Sequence, residues 1–176
     1  MKYNRRGDNV TQFIILLMIL VLMTIIMGLK IVPKNEVYII ERLGKYYDTW
    51  TSGVHLKFPF IDRVVKIMTT LNMILEIRCN DMETYEHKYV DFEVSALLKI
   101  SDYHKYAYSQ ARNQFENLIH DELSDIILKC PIDKINENLE KIEYNLFKRV
   151  ESSSVMKNIG LICPELSIRM IIKTNC

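Results

Sequence analysis

The chain has 176 residues, with 23 Lys and Arg against 22 Asp and Glu and a formal net charge of +1. So even a balance gives no bulk attraction for nucleic acid or for an anionic membrane surface. Cys79, Cys130, Cys163 and Cys176 form no C-x-x-C pair, and His55, His87, His104 and His120 show no zinc spacing, which excludes the common zinc-ligand patterns.

The first element dominates the sequence. Residues Val10 to Leu29 read VTQFIILLMILVLMTIIMGL, twenty positions without a charge. As a helix this run is about 30 Å long, the thickness of a bilayer's hydrocarbon layer. A helix also satisfies every peptide group within one segment, as lipid requires. The run predicts a single-pass transmembrane helix over 10–29, after an N-terminal flank 1–9. Its anchoring side chains are Val10, Phe13, Leu16, Leu20, Ile25 and Leu29. A cleaved signal peptide and a buried core helix are the rivals. The run ends TIIMGLK with no small-residue cleavage site, and polar residues do not interrupt it as they do core helices. Basic residues flank both ends (Lys2, Arg5 and Arg6; Lys30, Lys34, Arg42 and Lys45), so counting them assigns no orientation.

The remaining chain is long enough for one domain or two small lobes. Branched and aromatic residues make Glu36 to Arg42 strand-like, and Gly44 offers a turn. Ser52-Gly53 makes a second turn, His55 to Phe58 alternates until Pro59, and Arg63–Ile67 and Met73–Ile77 are short strand candidates. Trp50, Leu56, Phe58 and Phe60 cluster near the anchor. They either touch the headgroup region or fill the core of the first lobe.

Lys88 to Ile100 is the clearest strand. Val90, Phe92, Val94, Ala96, Leu98 and Ile100 share one face, and Leu97 is the apolar exception on the other. Helical spacing starts at Ser101-Asp102, either of which can cap, and runs to Lys129. Cys130-Pro131 interrupts it, and Asp133 can cap a second helix. That helix carries the stripe Ile135, Leu139, Ile142, Leu146 and Val150, which is either core packing or an intermolecular seam through Leu139, Ile142 and Leu146. Asn158–Gly160 reads as its stop, and Leu166 to Ile172 as a last strand. The order implies an α+β fold, with helices on one face of a mixed or antiparallel sheet.

Catalytic patterns are missing. The sequence holds no G-x-S-x-G, H-E-x-x-H, G-x-x-x-x-G-K-[ST] or G-x-G-x-x-G, and only five glycines. Ser152 to Ser154 with Lys157 could form a Ser/Lys pair, but reads better as the polar end of a helix. The sequence therefore predicts no enzyme, no cofactor, no metal and no nucleic-acid partner.

The segment IVPKNEVYIIERLGKYYDTWTSGVHLKFPFIDRVVKI after the anchor resembles the opening of the SPFH, or band 7, family. The matching points are Val32-Pro33, Glu36-Val37, Glu41 to Tyr46, Gly53-Val54-His55 and Pro59 to Val64. Asp91 to Asp102 resembles the family's long strand running into a helix, and Leu166 to Arg169 its closing strand. The resemblance covers residues 31–173 and leaves a tail at 174–176.

It implies an SPFH/band 7 domain held at the bilayer, without agreed catalytic residues. It implies a scaffold that forms homo- or hetero-oligomers with band 7-type subunits and organises or regulates neighbours such as a membrane protease or channel. The alternative is a regulatory subunit of a membrane protease or other membrane complex without a large assembly of its own. Family members usually continue into a long coiled coil, whereas this sequence stops at Cys176. The expectation is a reduced member, or one that inserts into a partner's ring.

Overall fold

A computed structural model describes residues 5–171, with side chains from residue 10 onward. Residues 1–4 of the expected flank, Ile172 of the last strand and the tail 174–176 lie outside the described residues. The chain divides into two compact units, Met1–Met68 and Thr69–Cys176.

The first unit opens with α1 (Arg5–Gly28) and passes straight into β1 (Leu29–Val32). Leu29, expected to end the helix, instead begins this strand. β2 (Glu36–Arg42), β3 (Lys45–Trp50), β4 (Gly53–Leu56) and β5 (Asp62–Thr69) follow. β1 pairs with β4 as an antiparallel ribbon, and β3-β2-β5 form a separate sheet. Val32, Tyr38, Ile40 and Trp50 make a core cluster, with Val64 packed on it.

The second unit is a three-stranded antiparallel sheet with helices. β6 (Met73–Glu83), β7 (Tyr89–Ile100) and β8 (Leu161–Ile171) lie in that order, β7 central. Between β7 and β8 run α2 (Tyr103–Tyr108), α3 (Ala111–Ile127), α4 (Ile132–Ile135), α5 (Leu139–Ser152) and α6 (Ser154–Ile159). The even-numbered residues of β7 from Val90 to Ile100 are all buried, as the alternation requires. Phe115, Ile119, Leu123 and Ile127 of α3 join Ile142, Leu146 and Val150 of α5 in the core, and α3 and α5 pack on each other, on β6 and on β8.

The helix expected over 101–129 is broken. Asp102 does cap its first piece, accepting from the Lys105 N–H at 3.0 Å. Gln110 then takes φ +50°, left-handed backbone that no glycine or proline announces, and α3 starts afresh. Asp133 lies inside the first turn of α4, and Pro131 precedes that helix without a side-chain cap. Gly160, at φ +70°, ends α6; its carbonyl accepts from the Ser101 and Asp102 N–H groups at 2.9 and 3.2 Å. That pair of bonds ties the end of β7 to the start of β8.

Candidate membrane-facing site

α1 contains a 19-residue stretch, Val10–Gly28, long and apolar enough to cross a membrane, and every residue of it from Val10 to Met27 is exposed. Val10, Phe13, Leu16, Leu20 and Ile25 are all exposed on it. The hydroxyl of Thr24 donates to the Leu20 carbonyl at 2.8 Å, so this polar group is satisfied inside the helix. The helix end is tied down. The Gly28 carbonyl, an orphan of the last turn, accepts from the Lys57 N–H at 2.7 Å. A Cβ on Gly28 would strike the Lys57 carbonyl oxygen, so the close approach requires glycine.

The ribbon beyond Gly28 continues the apolar surface. Leu29 faces Leu56 and Ile31 faces Val54 across the two strands, which places all four on one side. All four are exposed. Lys30 and His55 occupy the opposite side: Lys30 Nζ sits 5.7 Å from the Tyr38 ring centroid, and His55 stacks on Trp50 at 4.8 Å.

Two turn tips complete the site. Leu43 and Gly44 join β2 to β3 with φ +52° and +79°, the two-residue turn that follows the twist of a hairpin. Phe60, in the segment between β4 and β5, has φ +69°. Left-handed backbone costs an ordinary side chain about 1–2 kcal/mol, yet Leu43 is 81% and Phe60 100% exposed. The tips are joined, because the Leu43 N–H donates to the Ile61 carbonyl at 3.2 Å.

A half-buried ion pair holds this geometry. Arg42 donates Nε to Asp62 Oδ1 at 2.7 Å and Nη2 to Oδ2 at 3.1 Å, with the Asp62 side chain fully buried. Oδ2 also accepts from the Phe58 N–H at 2.9 Å, while the Phe58 carbonyl accepts from the Asp62 N–H at 3.0 Å. The segment Phe58–Asp62 thus closes on itself. Arg42 further lies 3.6 Å from the Tyr47 ring centroid and 5.2 Å from that of Phe58. The Arg42 hydrogen bonds hold the Asp62 carboxyl below its ordinary pKa, and the pairing raises that of Arg42.

Among the residues expected near the headgroups, Leu56, Phe58 and Phe60 are exposed. Trp50 is not: it is 5% exposed and belongs to the core cluster, so its bulk stabilises the lobe. On α5, Ile142 and Leu146 are buried and Leu139 is half-buried. Of the two readings of this stripe, core packing and an intermolecular seam, the burial of Ile142 and Leu146 fits the first; Tyr144 is an exposed aromatic on that helix. The Ser152 hydroxyl donates to the Arg149 carbonyl, and Ser153 caps α6 by accepting from the Val155 N–H. Sequence reasoning missed Ile31, Val54 and Leu43. The alternation of Leu29 with Ile31 was the available signal, hidden because the apolar run merges into the strand.

An exposed apolar helix of membrane-crossing length runs without a linker into the first strand of an α+β chain. The SPFH domain / Band 7 family matches residues 30–173, and the chain belongs to that family. Stomatin-like protein stl-1 of Caenorhabditis elegans is 21% identical over 143 residues, covering 80% of this chain and 44% of that protein. Stomatin-like protein 2, mitochondrial, of Rattus norvegicus is 18% identical over 125 residues, 70% of this chain and 35% of its own length. The Mus musculus protein of the same name matches to the same extent. The chain thus spans less than half the length of these curated relatives. Family and helix together make it a membrane-associated SPFH protein.

Proposed function

We propose that this protein is a non-enzymatic scaffold, anchored by α1 as a single-pass helix. It assembles on the bilayer with copies of itself or other band 7-type subunits, and organises or regulates neighbouring membrane proteins such as a protease or channel. The observation that carries the reading is the exposed apolar surface of the first lobe, which we read as a footing. The face Leu29, Ile31, Val54 and Leu56 continues the unburied surface of α1, and the tips Leu43, Phe58 and Phe60 are exposed. A lobe held on the membrane by both anchor and footing loses most of its orientational freedom. Weak lateral contacts between such lobes then act at high effective concentration.

Two measurements on the full chain test this. In a mild-detergent extract, native electrophoresis should show assemblies far larger than a monomer; a strictly monomeric species refutes the scaffold. In proteoliposomes, a nitroxide on Phe60→Cys should collide with a lipid-soluble relaxer more than with a water-soluble one. The reverse order refutes the footing.

A further inference from the structure

The formal charge of +1 hides an asymmetry. Between residues 29 and 68 there are seven Lys and Arg against four Asp and Glu, a net +3; between 69 and 176 there are 13 against 17, a net −4. The basic excess thus belongs to the lobe that carries the apolar footing.

That lobe also contains a cavity of about 430 Å³, inside the range of about 300–1,000 Å³ usual for small-molecule sites. Its wall includes Lys57, Arg63, Glu41 and Asp62, with Leu43 and Phe60 at the tips. Asp62 is already neutralised by Arg42. Among the described residues, neither Lys57 nor Arg63 has a carboxylate within 4.0 Å. Two cations therefore stand against Glu41, which leaves the wall a net positive charge.

Cations with no carboxylate in ion-pairing range, beside exposed apolar tips, suit a ligand with an anionic head and an oily tail. Resting on the membrane-footing reading above, we propose that this cavity seats the phosphodiester headgroup of an anionic membrane lipid. Lys57 and Arg63 bond the phosphate oxygens, and Leu43 and Phe60 meet the first carbons of the acyl chains. The ion pair beneath keeps the seat shaped before the lipid arrives, so little ordering remains to be done on binding.

The test uses the full chain in a neutral detergent, titrated with dihexanoyl phosphatidylglycerol or dihexanoyl phosphatidylcholine and read by native mass spectrometry. The anionic lipid should bind about tenfold or more tightly than the zwitterionic one, because choline brings a like charge toward Lys57 and Arg63. The double variant K57Q/R63Q should abolish that preference. K34Q/K66Q, which removes the same charge elsewhere on the lobe, should keep it. Trp50 fluorescence confirms folding in each variant. Equal binding of the two lipids by the natural sequence overturns the proposal, as does a preference that survives K57Q/R63Q or is lost equally in K34Q/K66Q. Displacement of the lipid by inorganic phosphate at equal concentration also overturns it, because the site then serves a free ion. The footing fails separately: a residue-60 probe that stays in water refutes membrane contact whatever the lipid preference, and lipid contact without a preference refutes only the headgroup seat.

Discussion

Gly160 offers the sharpest test of how the second lobe is held. Replacing it by alanine has two costs. The first is conformational: at φ +70°, a Cβ raises the energy of the left-handed backbone by about 1 kcal/mol. The second is steric, since the new Cβ would collide with the Asp102 carbonyl oxygen and press on the Lys105 Cβ at 3.1 Å. The backbone must shift, and the bonds from the Ser101 and Asp102 N–H groups to the Gly160 carbonyl stretch or break. Each contributes about 1 kcal/mol, so Gly160→Ala should destabilise its lobe by about 3 kcal/mol. Gly44 is the control. Its φ is +79° but no heavy atom lies within 4 Å of a Cβ built there, so Gly44→Ala should cost its own lobe about 1 kcal/mol. Asparagine tolerates left-handed backbone and separates the two costs: Gly44→Asn should be nearly neutral, whereas Gly160→Asn should remain damaging. Urea unfolding of the full chain in micelles, followed lobe by lobe by hydrogen-exchange mass spectrometry, reads all four variants. If Gly160→Ala costs no more than Gly44→Ala, the contact with Asp102 does not constrain the fold.

Ionised Asp62 stabilises the first lobe, because its pKa is depressed in the folded state. This contribution is complete above the unfolded carboxylate value of about 4 and disappears as pH falls through the lower folded value. Trp50 fluorescence should therefore show an acid-unfolding limb below about pH 4, flattened in Asp62→Asn. Trp50→Ala should cost the first lobe about 3–5 kcal/mol and Leu146→Ala the second about 2–5 kcal/mol. Urea midpoints measure both, and a neutral Leu146→Ala would return that residue to the list of subunit contacts. In Cys176→Ser, maleimide at neutral pH should label half-buried Cys130 first. Cys79 and Cys163 are buried, and burial pushes both thiols up to about 11. Rapid labelling of either in the folded chain, seen by peptide mapping, would contradict their burial.

What the sequence hid has a local cause in each strand. The apolar face of β7 runs unbroken from Val90 to Ile100 and is legible from end to end. β6 buries Ile77 and Cys79, then Met82, because a bulge between Cys79 and Met82 reverses the phase. The Asp91 carboxylate holds that bulge by accepting from the Asp81 N–H at 2.8 Å. A reading by period two therefore fails beyond Cys79. β8 buries Leu161 and Cys163, then Leu166 and Ile168, and its register shifts between. Only the half after the bulge was read as a strand. The Arg42–Asp62 pair could not be read at all, since its members lie twenty positions apart. It ties together two of the segments on which the band 7 resemblance rests, Glu41 to Tyr46 and Pro59 to Val64.

The two strained tips make the strongest case about environment. In water, Leu43 and Phe60 are poor choices: each holds left-handed backbone, and each exposes most of its apolar surface. Asparagine at either position would relieve about 1 kcal/mol of strain and prefer the solvent. Transfer to hydrocarbon reverses the balance, since fully burying a leucine or phenylalanine side chain gains about 1.5–3 kcal/mol. That gain exceeds the strain at each tip only if the tip leaves water. Leu43→Asn and Phe60→Asn should therefore each stabilise the first lobe in micelles by about 1 kcal/mol. In proteoliposomes, the same substitutions should increase hydrogen exchange around residues 43 and 60 by loosening the lobe from the bilayer. If both variants lower stability in micelles, the tips serve internal packing and the inference of a membrane footing fails at its physical root.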